Sequence, residues 1–564
     1  MATPNGFTVA DYLLARLKEL GVKKVFQVPG DYVTNFMNAL EQDPEIDAVG
    51  EVNEMSAAYA ADGYARYTGI GAVSLQYGVG TFSALNAIAG SYVERNPVVV
   101  ISASPNKKNR DLIWSRDILF HHSTGDLEVG RKVFENVTVA CELLGNCCAA
   151  PALIDKALTA AITERRPIYL EAWQNVWGEP CQPPVGRLSA IPARFDKGSL
   201  KAAIETTVQR LRAAKKQPII MLGIEIARLG LQQQALHLIE ASGLPFTTSL
   251  EAKTVLDEKH PQFIGTYAGD ASLPQTQALM NDAECILALG VIFTDDYLPL
   301  LVDDQKFDKI TLVTSQLTRT GLQYYHPRVP LPNYMEGLTQ ALRLDKHFPQ
   351  PRVPREPLPA LLQGTQDGSE PLSYTRLFNS LDQFAREHHW WENGSLILGE
   401  SSSLYVASNL MDMPRDSFVA DAIWGSLGHE TGCALGVALG SGRRPFVVAG
   451  DGGFMMMCQS LSTLVRNQVN AVVFVVSNEV YAIEQAFVDI HAFDEDGKFA
   501  PFDILPTWDY LALAKGFGAE GYQVSTQAEL DELLPKLNDS RKTTLVQVII
   551  PQKDLAPQIK ALAS

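Results

Sequence analysis

Short stretches that are apolar at every position, each lying between helical patterns and closed by a turn, constrain this chain more than any other feature. Val98–Ile101, Pro218–Leu222, Ile286–Leu289, Val447–Ala449 and Val472–Val476 all have this character. A strand that is apolar on both faces has to be covered on both, and parallel sheets sandwiched between helices meet that condition. The reading is an α/β protein with several parallel-sheet layers in succession. One core does not organise 564 residues, so the chain should divide. Prolines mark two breaks. Pro180, Pro183, Pro184 and Pro192 form the first, and Pro349, Pro351, Pro354, Pro357, Pro359 and Pro371 the second. Neither stretch suits a helix or a central strand. The expected domains are 1–185, 193–347 and 372–564, with 348–371 as a proline-rich linker.

The outer two segments repeat one order of elements. In the first, a helix of small residues (Ser56–Tyr67) leads to a strand (Ala72–Leu75), a turn with Gly78 and Gly80, a helix from Phe82 and a strand after Asn96. In the third, a small-residue helix (Thr431–Leu439) leads to a strand (Phe446–Ala449), the turn Gly450-Asp451-Gly452-Gly453, a helix from Phe454 and a strand after Asn470. The outer domains should therefore share one fold. The middle segment has its own strand–glycine–helix start, MLGIEIARLG from Met221, without the spaced glycines of a dinucleotide site.

Charge removes several functions. The net charge of −17 argues against a nucleic-acid footprint and against attraction to an anionic membrane. The longest apolar runs are strand-sized, and the N-terminal stretch lacks the apolar core of a signal peptide. The 7 cysteines have no metal-type spacing and no disulfide framework, which suits a reducing, cytoplasmic setting.

Gly450-Asp451-Gly452 follows a strand directly, and Asn478 ends the next strand 27 residues on. Glycines let backbone approach a phosphate, a helix start offers free N–H groups, and a carboxylate with an amide oxygen offers hard ligands to a small divalent cation. Both halves fall at strand ends, where open parallel sheets bind ligands. This pattern resembles the thiamine-diphosphate motif. Glu54 in VNEMSAAYAADGYAR, Asp31 in PGDY after KKVFQV, His121-His122 in ILFHHSTGDL and Glu484 in SNEVYAIEQ extend the resemblance. It runs from about residue 8 to about 550, and together these contexts resemble the pyruvate and indolepyruvate decarboxylase group of thiamine-diphosphate enzymes.

The resemblance implies a site. Asp451, Asn478 and the Val480 carbonyl would hold Mg²⁺, which anchors the diphosphate beside Gly450, Gly452 and Gly453. Leu427 would prop the cofactor, with Ile483 at another wall, and the Gly425 carbonyl would accept from its amino group. Glu54 would act on its pyrimidine ring. Asp31, His121, His122 and Glu484 would surround a 2-oxo acid that leaves as CO₂ and an aldehyde. The family pattern also implies a homodimer or homotetramer with its active sites at subunit interfaces. Carboligase or benzoylformate-type chemistry and a non-catalytic assembly protein are the rival readings.

Three departures stand out. Ser477 precedes Asn478 where two asparagines are common, Gly453 follows Gly-Asp-Gly where a hydroxyl residue is common, and Gln76 stands where relatives often have threonine. In LGESSSLYV, Ser402 or Ser403 is aligned with a large aromatic of pyruvate-specialised relatives. That predicts a pocket for longer side chains, unless Phe293 or Tyr297 refills it. A second doublet, His388-His389 beside Trp390 and Trp391, is read as a helix end that packs.

Overall fold

The computed structural model describes residues 6–349 and 368–564; Pro351, Pro354, Pro357 and Pro359 of the expected linker lie outside them. Nineteen strands form three sheets among the described residues. The first sheet comprises β1 (Lys24–Gln27), β2 (Asp47–Gly50), β3 (Gly71–Ser74), β4 (Val98–Ser104), β5 (Ala140–Leu144) and β6 (Ile168–Trp173), in the order β2-β1-β3-β4-β6-β5. The third comprises β14 (Gly394–Leu398), β15 (Phe418–Ala420), β16 (Arg444–Gly450), β17 (Val472–Ser477), β18 (Glu520–Val524) and β19 (Thr544–Ile549), in the order β15-β14-β16-β17-β19-β18. Strand for strand the two orders are the same, and all pairings in both sheets are parallel. The outer segments are one fold used twice.

Between them lies a sheet of β7 (Ile219–Leu222), β8 (Phe246–Thr248), β9 (Phe263–Thr266), β10 (Ile286–Leu289), β11 (Ile310–Val313), β12 (Thr318–Thr320) and β13 (Tyr324–His326). Its last two strands turn antiparallel. Residues of β7 and β10 alternate between two apolar clusters. Ile220, Leu222, Leu287 and Leu289 enter one, and Ile219, Met221, Ile286 and Ala288 the other. This is the two-sided covering that all-apolar strands demand. No described helix is long and apolar enough to cross a membrane.

Two compact units result. The first comprises the chain up to Pro192 together with Trp424–Arg443 and Met457–Val469; the second holds the middle and third sheets. In the first unit, the helix His429–Ser441 packs along the helix Glu54–Thr68. Small residues allow the approach: a Cβ on Gly436 would overlap the Ala60 carbonyl. The same helix pair carries a buried charge cluster. Asp62 takes Arg66 Nε at 2.7 Å and His429 Nε2 at 2.9 Å on one oxygen, and Ser91 and Asn96 on the other. Burial alone would raise its carboxyl, but Arg66 and His429 hold it well below the usual range.

The helices differ from expectation at the two glycine turns. The first starts at Val79 rather than Phe82, and the second at Asp451 rather than Phe454. At the second turn the strand passes into helix without an intervening loop, because Asp451 ties Gly452 N–H to its own carboxylate at 3.0 Å.

Candidate active site

In the first unit, one turn gathers the predicted groups. The segment Gln76–Gly80 joins β3 to the helix Val79–Val93. Gln76 lies against Gly30 and donates its amide to Asp31 Oδ1 at 2.6 Å. The Tyr77 hydroxyl donates to the His121 carbonyl. Tyr32 and Tyr77 stack edge-on to each other and to the His122 ring. Gly78, at φ +64°, meets the His122 carbonyl so closely that a side chain there would collide with it. Glu54 opens the helix Glu54–Thr68, whose N-cap Asn53 accepts from Ser56 N–H, and its carboxylate reaches Gly80. Asp31, Glu54, His121 and His122, scattered over the sequence, thus converge. Gln76, first noticed as a departure, is what links Asp31 to the turn.

Gly425 and Leu427 belong to the same unit. Gly425 has φ +66°, and the loop around it is fixed by Ser426, whose hydroxyl pairs with Tyr59 at 2.6 Å and accepts from Asn86 at 2.8 Å.

The second unit holds the cation-binding candidates. Asp451 is 3% exposed, at the C-terminal end of β16. Its Oδ2 accepts from Asn478 N–H at 3.1 Å and Glu479 N–H at 2.7 Å, while Oδ1 accepts from Gly452. Burial pushes its carboxyl up to about 6 against these three bonds. The Asn478 amide nitrogen reaches Tyr374 at 3.4 Å, and the Val480 segment is pinned by a bridge to Ile504. No group of three or more His, Cys, Asp or Glu among the described residues is arranged to hold a metal. One buried carboxylate with backbone partners only, next to an amide oxygen, instead fits a small hard cation that takes its remaining ligands from phosphate and water. Ile483 is partly buried against the third core, and Glu484 is exposed in the first turn of Ala482–Val488.

Ser402 and Ser403, expected at the substrate pocket, are buried, at 3% and 0% exposure, in the first turn of the helix Ser402–Ser408, and Ser402 faces Tyr374. The same stretch also carries Tyr405, which donates to Asp296 Oδ1 at 3.0 Å. The buried Tyr297 hydroxyl accepts from Leu250 N–H.

Sequence reading passed over Glu400, two residues beyond β14 at the same sheet edge as Asp451. Burial, with Asp296 adding to it, pushes its carboxyl up to about 8, and Tyr405 bonds to it. An acid two residues past the apolar run Leu396–Leu398 was the available signal. In the second histidine doublet, His388 stacks on Phe384 at 4.0 Å, while His389, 72% exposed, lies 3.9 Å from Glu392.

Against known proteins, residues 7–129 match the N-terminal TPP binding domain of thiamine pyrophosphate enzymes, 204–331 the central domain and 401–548 the C-terminal TPP binding domain. The chain belongs to the thiamine pyrophosphate enzymes, and thiamine diphosphate is its cofactor. It is 30% identical over 565 residues to a pyruvate decarboxylase of Neurospora crassa, spanning 98% of this chain and 95% of that one. It is also 30% identical over 558 residues to an alpha-keto-acid decarboxylase of Mycobacterium tuberculosis, spanning 97% and 95%. A solved structure described as a thiamin diphosphate-dependent enzyme from Mycobacterium smegmatis superposes with a TM-score of 0.76 at 20% identity, covering 97% of this chain and 100% of that one; it speaks for the fold.

Proposed function

We propose that this chain converts a 2-oxo acid to an aldehyde and CO₂ without net oxidation. The observation that carries the reading is the convergence of Asp31, Glu54, His121 and His122 on the turn Gln76–Gly80. Two carboxylates and two histidines gathered at one turn can orient a small acid and pass protons to and from it. The names of the Neurospora and mycobacterial relatives support the same chemistry.

When bound, thiamine diphosphate supplies the electron sink that lets the bond to CO₂ break. Asp451, Asn478 and the Val480 carbonyl would hold Mg²⁺, with Gly450, Gly452 and Gly453 beside the diphosphate. The Gly425 carbonyl, Leu427 and Ile483 would seat the rings. Glu54 would bond the pyrimidine through its carboxyl oxygens. Asp31, the histidines and Glu484 would orient the substrate carboxylate and return a proton to the carbon that loses CO₂. Residues 1–185 would serve the pyrimidine, 193–347 the framework and 372–564 the diphosphate, with 348–371 linking them.

We read the active protein as a homodimer or homotetramer in which one copy's Glu54 serves the partner's diphosphate site. All seven cysteines are free thiols, which supports a cytoplasmic enzyme. The test adds thiamine diphosphate and Mg²⁺ to the purified protein and measures CO₂ and aldehyde from pyruvate, 2-oxobutanoate, 2-oxoisovalerate, 4-methyl-2-oxopentanoate, phenylpyruvate and indolepyruvate. Aldehyde from at least one acid is expected. A carboligation product alone, or no turnover with any acid, would overturn the reading.

A further inference from the structure

The histidine pair sits on an exposed segment that touches the core near the pair itself, through the Tyr77 bond to His121 and the Tyr32 and Tyr77 rings against His122. No side chain described between residues 106 and 126 is buried, and Ile118 and Leu119 are 40% and 66% exposed. Apolar burial, the usual source of loop order, therefore contributes little here. One side chain ties the two ends of the segment. Arg110 donates Nε to the Pro105 carbonyl at 2.9 Å, Nη1 to Glu128 at 2.8 Å, and Nη2 to Ser104 Oγ at 2.6 Å and to Glu171 at 3.4 Å. Its guanidinium also lies 5.7 Å from the Trp173 ring.

Ser104 ends β4, Glu171 and Trp173 belong to β6, and Glu128 closes the segment. Both ends thus meet on the sheet through a single guanidinium. The far end is drawn to the same place a second time: the helix Val129–Phe134 lies close over Tyr169 and Glu171 at Gly130. Tyr169 in turn donates to Glu171 at 2.8 Å. A planar fork with five donors can make these bonds together, whereas an ammonium radiates from one point.

We propose that Arg110 is the positioning residue of His121 and His122: by pinning both ends of their segment to β4 and β6, it sets the stretch that carries them against the Tyr77–Gly78 turn. This rests on the reading above that the pair works on the substrate. Displacements near 1 Å at a reacting group cost on the order of 100-fold, so Arg110→Met should lower kcat by about 10- to 100-fold. Thiamine diphosphate affinity, followed by tryptophan fluorescence, should stay within about twofold of the parent, since the bonds Arg110 makes go to none of the candidate cofactor residues.

The decisive comparison is a cycle. Arg110→Met placed in a His121→Ala/His122→Ala background should cost nothing further, and Arg110→Lys should recover only part of the loss. In protein without cofactor, trypsin should cut at Lys107, Lys108 and Arg116 faster in Arg110→Met than in the parent. If Arg110→Met proves unfolded, Glu128→Gln, at a more exposed side chain, weakens the far tie alone and should show the same non-additivity with a smaller loss. Parent-like turnover of Arg110→Met (or of Glu128→Gln in its place), with the histidine variant impaired, would overturn this inference alone. Losses that multiply in the combined variant would also overturn it. Parent-like turnover of the histidine variant would overturn the reading of the pair and this inference together.

Discussion

Replacing Asp451 by asparagine should separate the cation site from the fold around it. Burial and three N–H bonds leave this carboxyl at about 6, against an ordinary aspartate near 3.9. The folded pKa is raised, so the contribution to stability is present below about pH 4 and is lost as pH rises through about 6. At pH 8 the buried charge costs the cofactor-free fold about 3 kcal/mol. Asp451→Asn removes that charge and keeps the shape, giving up the Gly452 N–H bond, where the amide sets a donor against a donor. Cofactor-free, the variant should melt no lower than the parent at pH 8, and its melting temperature should depend less on pH between 4 and 7. The opposite holds once a divalent cation is offered. The cation is what would offset the buried charge, and losing about 3 kcal/mol of that compensation is roughly 100-fold in affinity. Thermal unfolding across pH and Mg²⁺–thiamine diphosphate titrations by fluorescence measure the two halves. A variant that melts well below the parent yet binds the cofactor within threefold would show that Asp451 is a structural tie and not a cation ligand.

Three other outcomes are expected. Glu54→Gln should cut turnover by about 10²–10⁴-fold, the worth of a positioned proton donor, while equilibrium dialysis still finds the cofactor bound. His121→Ala and His122→Ala should each lower kcat by tenfold or more, whereas His388→Ala, at a ring stacked on Phe384, should alter only the melting temperature; equal activity losses would reverse that distinction. Tyr405→Ala should raise kcat/KM for phenylpyruvate relative to pyruvate, and an unchanged ratio would mean that Tyr405 does not border the substrate.

The parts of this protein legible in its sequence were those whose signal is local. Strands apolar on both faces declared parallel sheets, and the repeated order of elements declared the shared outer fold. Gly-Asp-Gly, with Asn478 at the end of the next strand, stood where the sheet edge puts it. What stayed hidden depends on partners far along the chain. Tyr405 meets Asp296 across 109 positions, and His429 meets Asp62 across 367. No spacing rule announces such pairs. Ser402 and Ser403 look in a row of letters like any exposed polar pair, and only the fold shows that they are buried at the start of a helix. Gln76 was noted for the hydroxyl it lacks, when its length is what lets it reach Asp31.

The first compact unit is assembled from three separated pieces, the last ending at Val469. A ribosome must therefore release most of the chain before the helix Glu54–Thr68 can find His429–Ser441. Until then a row of alanines and Tyr59, all buried in the finished structure, stays without its cover. Contacts closed over such distances form late and slowly, so newly made chains spend their synthesis with a sticky face uncovered. Fragments ending before Trp424 should precipitate or seek chaperones even though they contain the whole first sheet. Circular permutants that join these pieces in sequence should refold faster than the natural order.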